Sequence, residues 1–209
     1  MNGSIIEYCT GNIRSSSRVF KKFENNVNII SKPEEIKNSS HLVLPGVGAF
    51  PKAMELLNKK NFISEIKEHV LKGKPLLGIC LGMQLLFSSS NEIKKTAGLN
   101  LIKGEVIKLP ENETENKNFK IPNVGWHQII MNKMNVDKSI YSDLSDSKFY
   151  FVHSYYCKTD DENNNLFYIK FNKLKICVIA QKENIMGTQF HPEKSGEDGF
   201  KLIKKFTKI

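Results

Sequence analysis

A cysteine between two glycines is the clearest chemical feature of this 209-residue chain. It lies in the run Gly78-Ile79-Cys80-Leu81-Gly82-Met83-Gln84, which follows the apolar residues 75–77 and leads into a helix-like segment, 83–87. This pattern is typical of a sharp turn from a strand into a helix, with a nucleophile at the turn. Free N–H groups and the positive dipole end of a helix start favour the thiolate, which is the reactive form. Cys80 is therefore predicted to attack a carbonyl carbon, and a buried structural cysteine is the alternative.

A histidine and a glutamate near the C-terminus could activate such a thiol. They lie in the run Thr188-Gln189-Phe190-His191-Pro192-Glu193-Lys194-Ser195. Side chains repeat every two residues in an extended segment, so His191 and Glu193 would point to the same side, with Pro192 fixing the backbone between them. A thiol nucleophile needs a base, and the base needs an orienting group. The spacing therefore favours Cys80, His191 and Glu193 as catalytic residues.

A glycine-rich turn follows the predicted strand 41–44. Its sequence is Pro45-Gly46-Val47-Gly48. A turn of this kind at the carboxyl end of a strand can aim backbone N–H groups at a developing oxyanion. Together with the thiol and its base, the turn predicts the chemistry of acyl transfer.

Two further runs, Gly125-Trp126 and Tyr150-Phe151-Val152-His153-Ser154-Tyr155, complete the set of motifs. With Gly11-Asn12 and residues 45–50, 78–87 and 187–195, they span essentially the whole chain. On these motifs the sequence resembles the class I (triad) glutamine amidotransferases. Within that class it is most similar to HisH, the family of glutaminase subunits of imidazole glycerol phosphate synthase.

The resemblance implies a role for each matching position. Cys80 would attack the side-chain amide of L-glutamine, His191 would pass the thiol proton to the leaving ammonia, and Glu193 would orient His191. The implied oxyanion hole consists of backbone groups of Gly46, Val47, Gly48 and Leu81. The implied contacts to the amino-acid end of glutamine are Gln84, Glu92, Ser154 and Tyr155. For Glu92, a solvated residue at a helix end is the alternative.

The resemblance also implies a partner. Ammonia would pass to a HisF-like cyclase subunit, a β/α-barrel, in a heterodimer that serves histidine biosynthesis. The implied interface residues are Asn12, Trp126 and His127. The family commonly has Met-Gly-Trp-Asn where this chain has Val124-Gly125-Trp126-His127, so the identity of the partner is open. No cofactor and no metal are implied.

Three other interpretations stay open. A HisH-like glutaminase could supply ammonia to a sugar amidotransferase that modifies bacterial surface glycans, and genomic neighbours would separate this from the histidine pathway. The cysteine turn also occurs in hydrolases of the DJ-1/PfpI type, which glutamine-dependent ammonia release would exclude. A scaffold that has the fold without activity is the third, and the presence of Cys80, His191 and Glu193 argues against it.

The composition limits the other classes of function. Lysine and arginine number 31 against 22 acidic residues, a net charge of +9. The lysines are scattered and not interleaved with aromatic residues, so nucleic-acid binding is not expected and a basic face toward an acidic partner is favoured. Cys9, Cys80, Cys157 and Cys177 include no Cys-x-x-Cys pair, which argues against a zinc or redox site. No signal peptide and no apolar run of about 20 residues is seen, so the expected location is the cytoplasm, without membrane contact.

Short apolar runs alternate with amphipathic segments in the first half of the chain. This predicts a doubly wound, mostly parallel α/β sheet flanked by helices, with active-site residues at the carboxyl ends of the strands. The predicted strands there are 5–8, 27–30, 41–44 and 75–79, and the predicted helices are 15–22, 53–58 and 62–72. In the second half, an antiparallel β extension is predicted from strands 105–108, 126–131, 149–152, 166–171 and 175–180, before a C-terminal helix, 196–208. Without repeats or linkers, residues 1–209 are expected to form a single domain.

Three residues outside the triad have simpler interpretations. His153, flanked by aromatic residues, is expected to be a packed and hydrogen-bonded histidine. His69, on the predicted helix 62–72, is expected to lie at the surface. Trp126 could belong either to the core or to an interface.

Overall fold

The computed structural model describes residues 2–8, 13–22, 26–110, 120–133 and 140–209. The strands, in chain order, are β1 (Asn2–Ile6), β2 (Asn26–Ile30), β3 (His41–Gly46), β4 (Leu76–Cys80), β5 (Phe87–Ser90), β6 (Thr96–Ala97), β7 (Ile102–Lys108), β8 (Asn123–Gln128), β9 (Ile130–Met131), β10 (Lys148–His153), β11 (Tyr155–Thr159), β12 (Asn165–Phe171), β13 (Leu174–Lys182) and β14 (Ile185–Thr188). The α-helices are α1 (Ile13–Phe20), α2 (Phe50–Lys59), α3 (Phe62–Leu71), α4 (Leu81–Leu85) and α5 (Gly196–Phe206). Within these ranges no helix is both long enough and apolar enough to cross a bilayer.

The part of the main sheet that positions the site is parallel, with the strand order β2-β1-β3-β4-β14. All five residues of β4 are buried. A parallel strand that is covered on both faces is apolar along its whole length, which explains the run Leu76-Leu77-Gly78-Ile79. Cys80 therefore lies at the end of a central strand that is buried along its whole length.

Helices cover both faces of this parallel sheet. Neighbouring residues of β3 point to opposite faces, so Leu44 packs in one hydrophobic cluster and Val43 in another. The cluster around Leu44 includes Leu57 of α2 and Ile66 of α3. The cluster around Val43 includes the apolar side of α5, with Leu202, Ile203 and Phe206. This arrangement confirms the predicted doubly wound α/β class.

An antiparallel extension continues the sheet beyond β14, in the order β14-β13-β11-β7-β5-β6, and β12 pairs with both β13 and β9. Within it, β5 and β7 are the parallel pair. β8 and β10 form a separate antiparallel ribbon. The extension confirms the second half of the fold prediction. That residues 1–209 form one domain stays a prediction.

Several element bounds differ from the prediction. The helical segment expected at 83–87 ends at Leu85, and Phe87–Ser90 is strand β5. The strand expected at 126–131 is two strands, β8 and β9, which belong to different sheets. The interruption falls at Ile129, which belongs to neither strand, although its N–H still donates to the carbonyl of Ser147 in the register of β8 and β10.

The expectation that His69 lies at the surface is wrong. The side chain is 3 % exposed, and its Nε2 donates to the carbonyl of Pro75 at 3.1 Å. His69 follows Ile66 by three residues and Phe62 by seven, so it lies on the buried face of α3. Burial lowers the pKa of His69 to about 4, so this histidine is neutral and structural.

Gly82 allows the helix that follows Cys80 to lie directly against the neighbouring strand. A Cβ at this position would collide with the carbonyl oxygen of Leu44 on β3. Both partners of that collision are backbone atoms, which no rotamer change can relieve. The second glycine of the cysteine turn is therefore required by packing.

We expect Gly82→Ala to lower the free energy of unfolding by about 2–4 kcal/mol, because the added methyl must push α4 away from β3. Urea denaturation followed by circular dichroism measures this change. Gly3→Ala is the matched control, since a Cβ at Gly3 meets no atom within 4 Å, and we expect a change below about 0.5 kcal/mol. Equal stability of the two variants would show that Gly82 is not needed for the close approach.

Candidate active site

Cys80 has a strained backbone at the junction of β4 and α4. It is the last residue of the strand, and the helix begins at the next residue without a loop. Its backbone angles are φ 55° and ψ −110°, a combination that costs a non-glycine residue on the order of 1–3 kcal/mol. The strain turns the side chain out of the sheet, so that the thiol faces a cavity while remaining 8 % exposed.

His191 and Glu193 form a buried ion pair. His191 Nδ1 lies 2.8 Å from Glu193 Oε1, and the side chains are 4 % and 2 % exposed. A carboxylate only accepts, so Nδ1 carries a proton and Nε2 is left for Cys80. Among the described residues, Glu193 Oε2 has no hydrogen-bond partner. The hydrogen bond of this carboxylate is therefore the one that it accepts from the imidazole.

The sequence suggested an extended segment between His191 and Glu193, and this expectation is wrong. Residues Pro192–Lys194 form a single 3-10 turn, because the fixed φ of proline suits the first position of a helical turn. The Oγ of Ser195 donates to the carbonyl of His191 at 2.6 Å and accepts from the N–H of Tyr150 at 3.0 Å. This clamp, rather than a strand, brings His191 and Glu193 together.

The pKa of His191 reflects opposing effects. Burial alone would lower it, but hydrogen bonding to Cys80 and to Glu193, together with their negative charges, raises the pKa to about 10. The imidazole is therefore cationic at neutral pH when it faces a thiolate. A cationic imidazole beside a thiolate is the resting state of an activated cysteine nucleophile.

A cavity of about 360 Å³ adjoins the thiol and the imidazole. It is lined by Val47, Gly48, Cys80, Leu81, Gln84, Glu92, Pro122, Val152, His153, Ser154, Tyr155 and His191. All four positions expected to hold the amino-acid end of glutamine are among them. The structure thus brings the expected nucleophile, base and substrate contacts into one concave site, of the size that small-molecule sites have.

The expected oxyanion turn lies beside the thiol. Strand register pairs Gly46 of β3 with Cys80 of β4, and Val47 and Gly48 line the cavity. Gly48 has φ +98°, a conformation that favours glycine. Gly46 lines a smaller cavity, together with His191 and Glu193. Three of the four expected oxyanion positions therefore line the main cavity, and Gly46 lines the smaller one.

Two of the residues expected to contact the substrate, Glu92 and Gln84, form hydrogen bonds within the protein. Glu92 Oε2 accepts from the N–H of Phe50 at 2.7 Å, which places the carboxylate at the N-terminus of α2. Glu92 is half-buried and does not lie in a helix, so the alternative of a solvated helix-end residue is wrong. Gln84 is buried, and its Nε2 donates to the carbonyl of Tyr155 and to Gln189 Oε1, both at 3.1 Å.

His153 lines the cavity but cannot act as a second base. Its Nδ1 must donate to the carbonyl of Tyr155, 2.9 Å away, so its Nε2 accepts from Asn123 Nδ2, also at 2.9 Å. Burial lowers the pKa of His153 to about 4. The expectation of a packed, hydrogen-bonded histidine is confirmed.

Comparison with known proteins places these observations in a family. The family model "Glutamine amidotransferase class-I" matches residues 4–209. The chain belongs to the glutamine amidotransferase class-I family. Membership of the class I glutamine amidotransferases was the expectation from the sequence motifs, and the match confirms it.

Relatives of this amidotransferase share about two fifths of its residues. One from Legionella pneumophila (strain Paris), named "Imidazole glycerol phosphate synthase subunit HisH 1", is 41% identical over 209 residues, 99% of this chain and 98% of the relative. Another, "Imidazole glycerol phosphate synthase subunit HisH" of Lactococcus lactis subsp. lactis (strain IL1403), is 44% identical over 202 residues, 97% of this chain and 96% of the relative. The predicted similarity to HisH is confirmed.

Solved structures match the amidotransferase fold at low sequence identity. "Structure of PurLQS from Thermotoga maritima" is 17% identical, covers 99% of this chain and 97% of that chain, and has a TM-score of 0.72. "Trypanosoma brucei CTPS - glutaminase domain with bound acivicin" is 14% identical, covers 100% and 94%, and has a TM-score of 0.66. These likenesses concern the fold alone.

The residues expected at a partner interface are not all on one surface. Trp126 is 55 % exposed on β8 and packs edge-on against Tyr150 at 6.0 Å between ring centroids. His127 is the next residue in the strand, so it points to the opposite face, where its ring meets Phe151 at 5.4 Å. Burial lowers the pKa of His127. Asn12 lies outside the described residues.

Sequence reasoning missed one residue of the amidotransferase site. Gln189 is fully buried, and its Nε2 lies 3.9 Å from Cys80 Sγ. It precedes His191 by two residues, so the alternation used to pair His191 with Glu193 also places Gln189 on the side of His191. That spacing was the available signal.

We expect Glu193→Gln to lower the pKa of His191 from about 10 toward its ordinary value near 6.5, because a neutral amide no longer stabilises the imidazolium. The imidazolium of His191 would then lose its proton at a lower pH. The free energy of unfolding that its charge contributes would therefore be lost at a lower pH as the pH rises. A nuclear magnetic resonance titration of the His191 ring measures the shift. Glu197→Gln, an exposed carboxylate on α5, is the control, and an unchanged His191 pKa in Glu193→Gln would contradict the ion pair.

Proposed function

We propose that this chain is the glutaminase subunit of an imidazole glycerol phosphate synthase. It hydrolyses L-glutamine to glutamate and ammonia, and the ammonia passes to a cyclase subunit in histidine biosynthesis. Identity of 41% or more to HisH subunits along nearly the whole chain supports the pathway. The observation that supports the chemistry is the single cavity shared by Cys80, His191 and the glutamine-contact positions. None of the relatives described above is named for a role in surface glycans.

The reaction uses the triad in two steps. Cys80 Sγ attacks the side-chain carbonyl carbon of glutamine as a thiolate, and His191 holds the thiol proton on Nε2. The tetrahedral intermediate collapses with cleavage of the carbon–nitrogen bond, and His191 gives its proton to the leaving ammonia. Water, deprotonated by His191, then cleaves the thioester and releases glutamate. Glu193 keeps the imidazole oriented and stabilises its cation throughout. No cofactor or metal takes part.

Charge complementarity supports the orientation of glutamine in the cavity. The carboxylate of Glu92 suits the α-ammonium group of the substrate, and the N–H of Phe50 holds that carboxylate in place. Gln84 uses both amide hydrogens on Tyr155 and Gln189, so its Oε1 remains to accept from the same ammonium. Ser154 and Tyr155 also line the cavity. The side-chain amide of glutamine is then directed to Cys80.

The backbone groups near the thiol would stabilise the oxyanion. The N–H of Leu81 is the first of α4 and has no acceptor four residues back within the helix, which makes it one candidate donor. The turn formed by Gly46, Val47 and Gly48 supplies the other donor, since it lies against Cys80 in the strand register. A preorganised donor of this kind typically contributes about 10²–10³-fold in rate.

The cyclase subunit would bind the exposed side of the β8–β10 ribbon. Val124 and Trp126 are each 55 % exposed there, and Val152, the register partner of Val124, is 37 % exposed. This apolar surface lies beside the cavity, whose lining also includes Val152. We propose a heterodimer with a HisF-like β/α-barrel at this surface, with ammonia leaving the cavity toward it, and no nucleic acid or membrane contact.

The proposed location is the cytoplasm, where a histidine-biosynthetic enzyme would meet its substrates. Cys157 of β11 and Cys177 of β13 are directly paired in register and both have free thiols. Free thiols are the usual state of cysteines in a reducing compartment.

We expect Cys80→Ala to abolish glutamine hydrolysis by the complex with the cyclase, because no other described thiol faces the cavity. Synthesis of imidazole glycerol phosphate from added ammonium chloride should continue at close to the wild-type rate. Glutamate release and product formation are measured on the same preparation. Cys177→Ala, which removes a buried thiol on β13, is the control and should retain hydrolysis. Glutamate release by Cys80→Ala would refute the assignment of Cys80 as the nucleophile.

We expect Trp126→Ala to weaken binding of the cyclase subunit by about tenfold or more, because large exposed aromatic residues supply much of the binding energy of interfaces. Calorimetric titration of the cyclase subunit into each variant measures the dissociation constant. Leu71→Ala is the control, since Leu71 is 86 % exposed on α3 and far from the ribbon. Equal affinity of the two variants would place the interface elsewhere.

A further inference from the structure

Gln189 connects the wall of the cavity to the sulfur of Cys80. Its Nε2 donates to Cys80 Sγ at 3.9 Å, and its Oε1 accepts from Gln84 Nε2 at 3.1 Å. We infer that Gln189 is a positioning residue for the nucleophile, which donates a hydrogen bond to the sulfur and is itself oriented by Gln84. The inference rests on the proposed function, since it concerns the same thiol.

The orientation of the two amides follows from a backbone carbonyl. A side-chain amide can be rotated to exchange its oxygen and nitrogen, so its direction must be fixed by a partner with a single role. The carbonyl of Tyr155 only accepts, so Gln84 must present Nε2 to it. The second hydrogen of the same nitrogen then faces Gln189 Oε1. This leaves the N–H₂ group of Gln189 as the group that faces the sulfur.

The strand register holds Gln189 beside the nucleophile. Thr188, the last residue of β14, pairs with Ile79 of β4. The residues that follow are Gln189, just beyond β14, and Cys80, the last residue of β4. The backbone N–H of Gln189 donates to the carbonyl of Val178 at 2.9 Å, and the side chain is fully buried. Burial and these hydrogen bonds hold both the backbone and the side chain beside the thiol.

A donor facing the sulfur favours the thiolate over the thiol, because hydrogen bonds to an ionised acceptor are stronger than those to a neutral one. The three groups form a line in which each donation polarises the next. The line begins at Gln84, whose Oε1 faces the position proposed for the ammonium of glutamine. A cation at that oxygen would strengthen the donation to Gln189 and, through it, the donation to Cys80.

Gln189→Glu tests this directly, because the carboxylate keeps the shape and still accepts from Gln84 but cannot donate to sulfur. The rate of alkylation of Cys80 by iodoacetamide is measured against pH, with the Cys80 peptide quantified by mass spectrometry. We expect the pH midpoint to rise by about one unit or more. In the complex with the cyclase, kcat at neutral pH should fall at least about tenfold, with KM changed less than about threefold.

Gln181→Glu is the matched control. It introduces the same charge on β13 opposite Met186, near the start of β4 and away from Cys80. We expect its alkylation midpoint and its kcat to equal those of the wild type. If the alkylation midpoint of Gln181→Glu rose as much as that of Gln189→Glu, the added negative charge, and not the lost hydrogen bond, would explain the effect.

A second variant keeps the test decisive if Gln189→Glu does not fold. Gln189→Met has similar length without donor, acceptor or charge, and we expect a midpoint that lies between the wild type and Gln189→Glu. Wild-type midpoints in the folded variants, whatever their thermal stability, would overturn the inference. If the midpoints shift but the wild-type complex releases no glutamate from glutamine, the proposed function fails and the role of Gln189 toward the thiol stands.

Discussion

The backbone of Cys80 is the constraint on which the rest of the site depends. Strand β4 passes into α4 without a loop, and the chain makes this change of direction with a positive φ at a residue that has a side chain. The strain is offset by burial, since every residue of β4 and α4 is buried. A turn held from both sides by packed elements has little freedom to relax, so the thiol is fixed at the edge of the sheet.

Parallel register then assembles the other groups around that thiol. β3 and β14 flank β4, and each ends at the same edge of the sheet. Gly46 is opposite Cys80 on one side, and the residue after Thr188 lies beside Cys80 on the other. Segments more than a hundred residues apart in the chain thus meet because three strands end together, which is the general reason that sites of doubly wound proteins lie at the carboxyl edge.

The sequence predicted the elements whose pattern is strong in itself. Strands β3 and β4 are apolar runs, and the triad residues lie in short motifs that have a chemical rationale of their own. β5 was not recognised, because its residues Phe87-Ser88-Ser89-Ser90 have neither the apolar run of a buried strand nor the β-branched residues typical of one. It forms because tertiary pairing with β7 supplies what local propensity lacks.

Within the site, the sequence could indicate which residues do chemistry but not how polar side chains are shared. Gln189 was missed because a glutamine has no reactive group, and its importance depends on which way its amide points. The same holds for Glu92, which was expected to meet the substrate and also accepts from the N-terminus of α2. Such roles depend on distances between distant segments, and a single sequence contains no measure of them.

The carbonyl of Tyr155 shows how the fold limits the electrostatics of the site. It accepts both from Gln84 and from His153, so its two lone pairs fix the direction of one amide and the tautomer of one imidazole. Burial, rather than this hydrogen bond, keeps His153 neutral beside the cavity. A second cation there would lower the pKa of His191. One backbone oxygen of β11 therefore directs a donor toward Cys80 and also determines which nitrogen of His153 carries the proton.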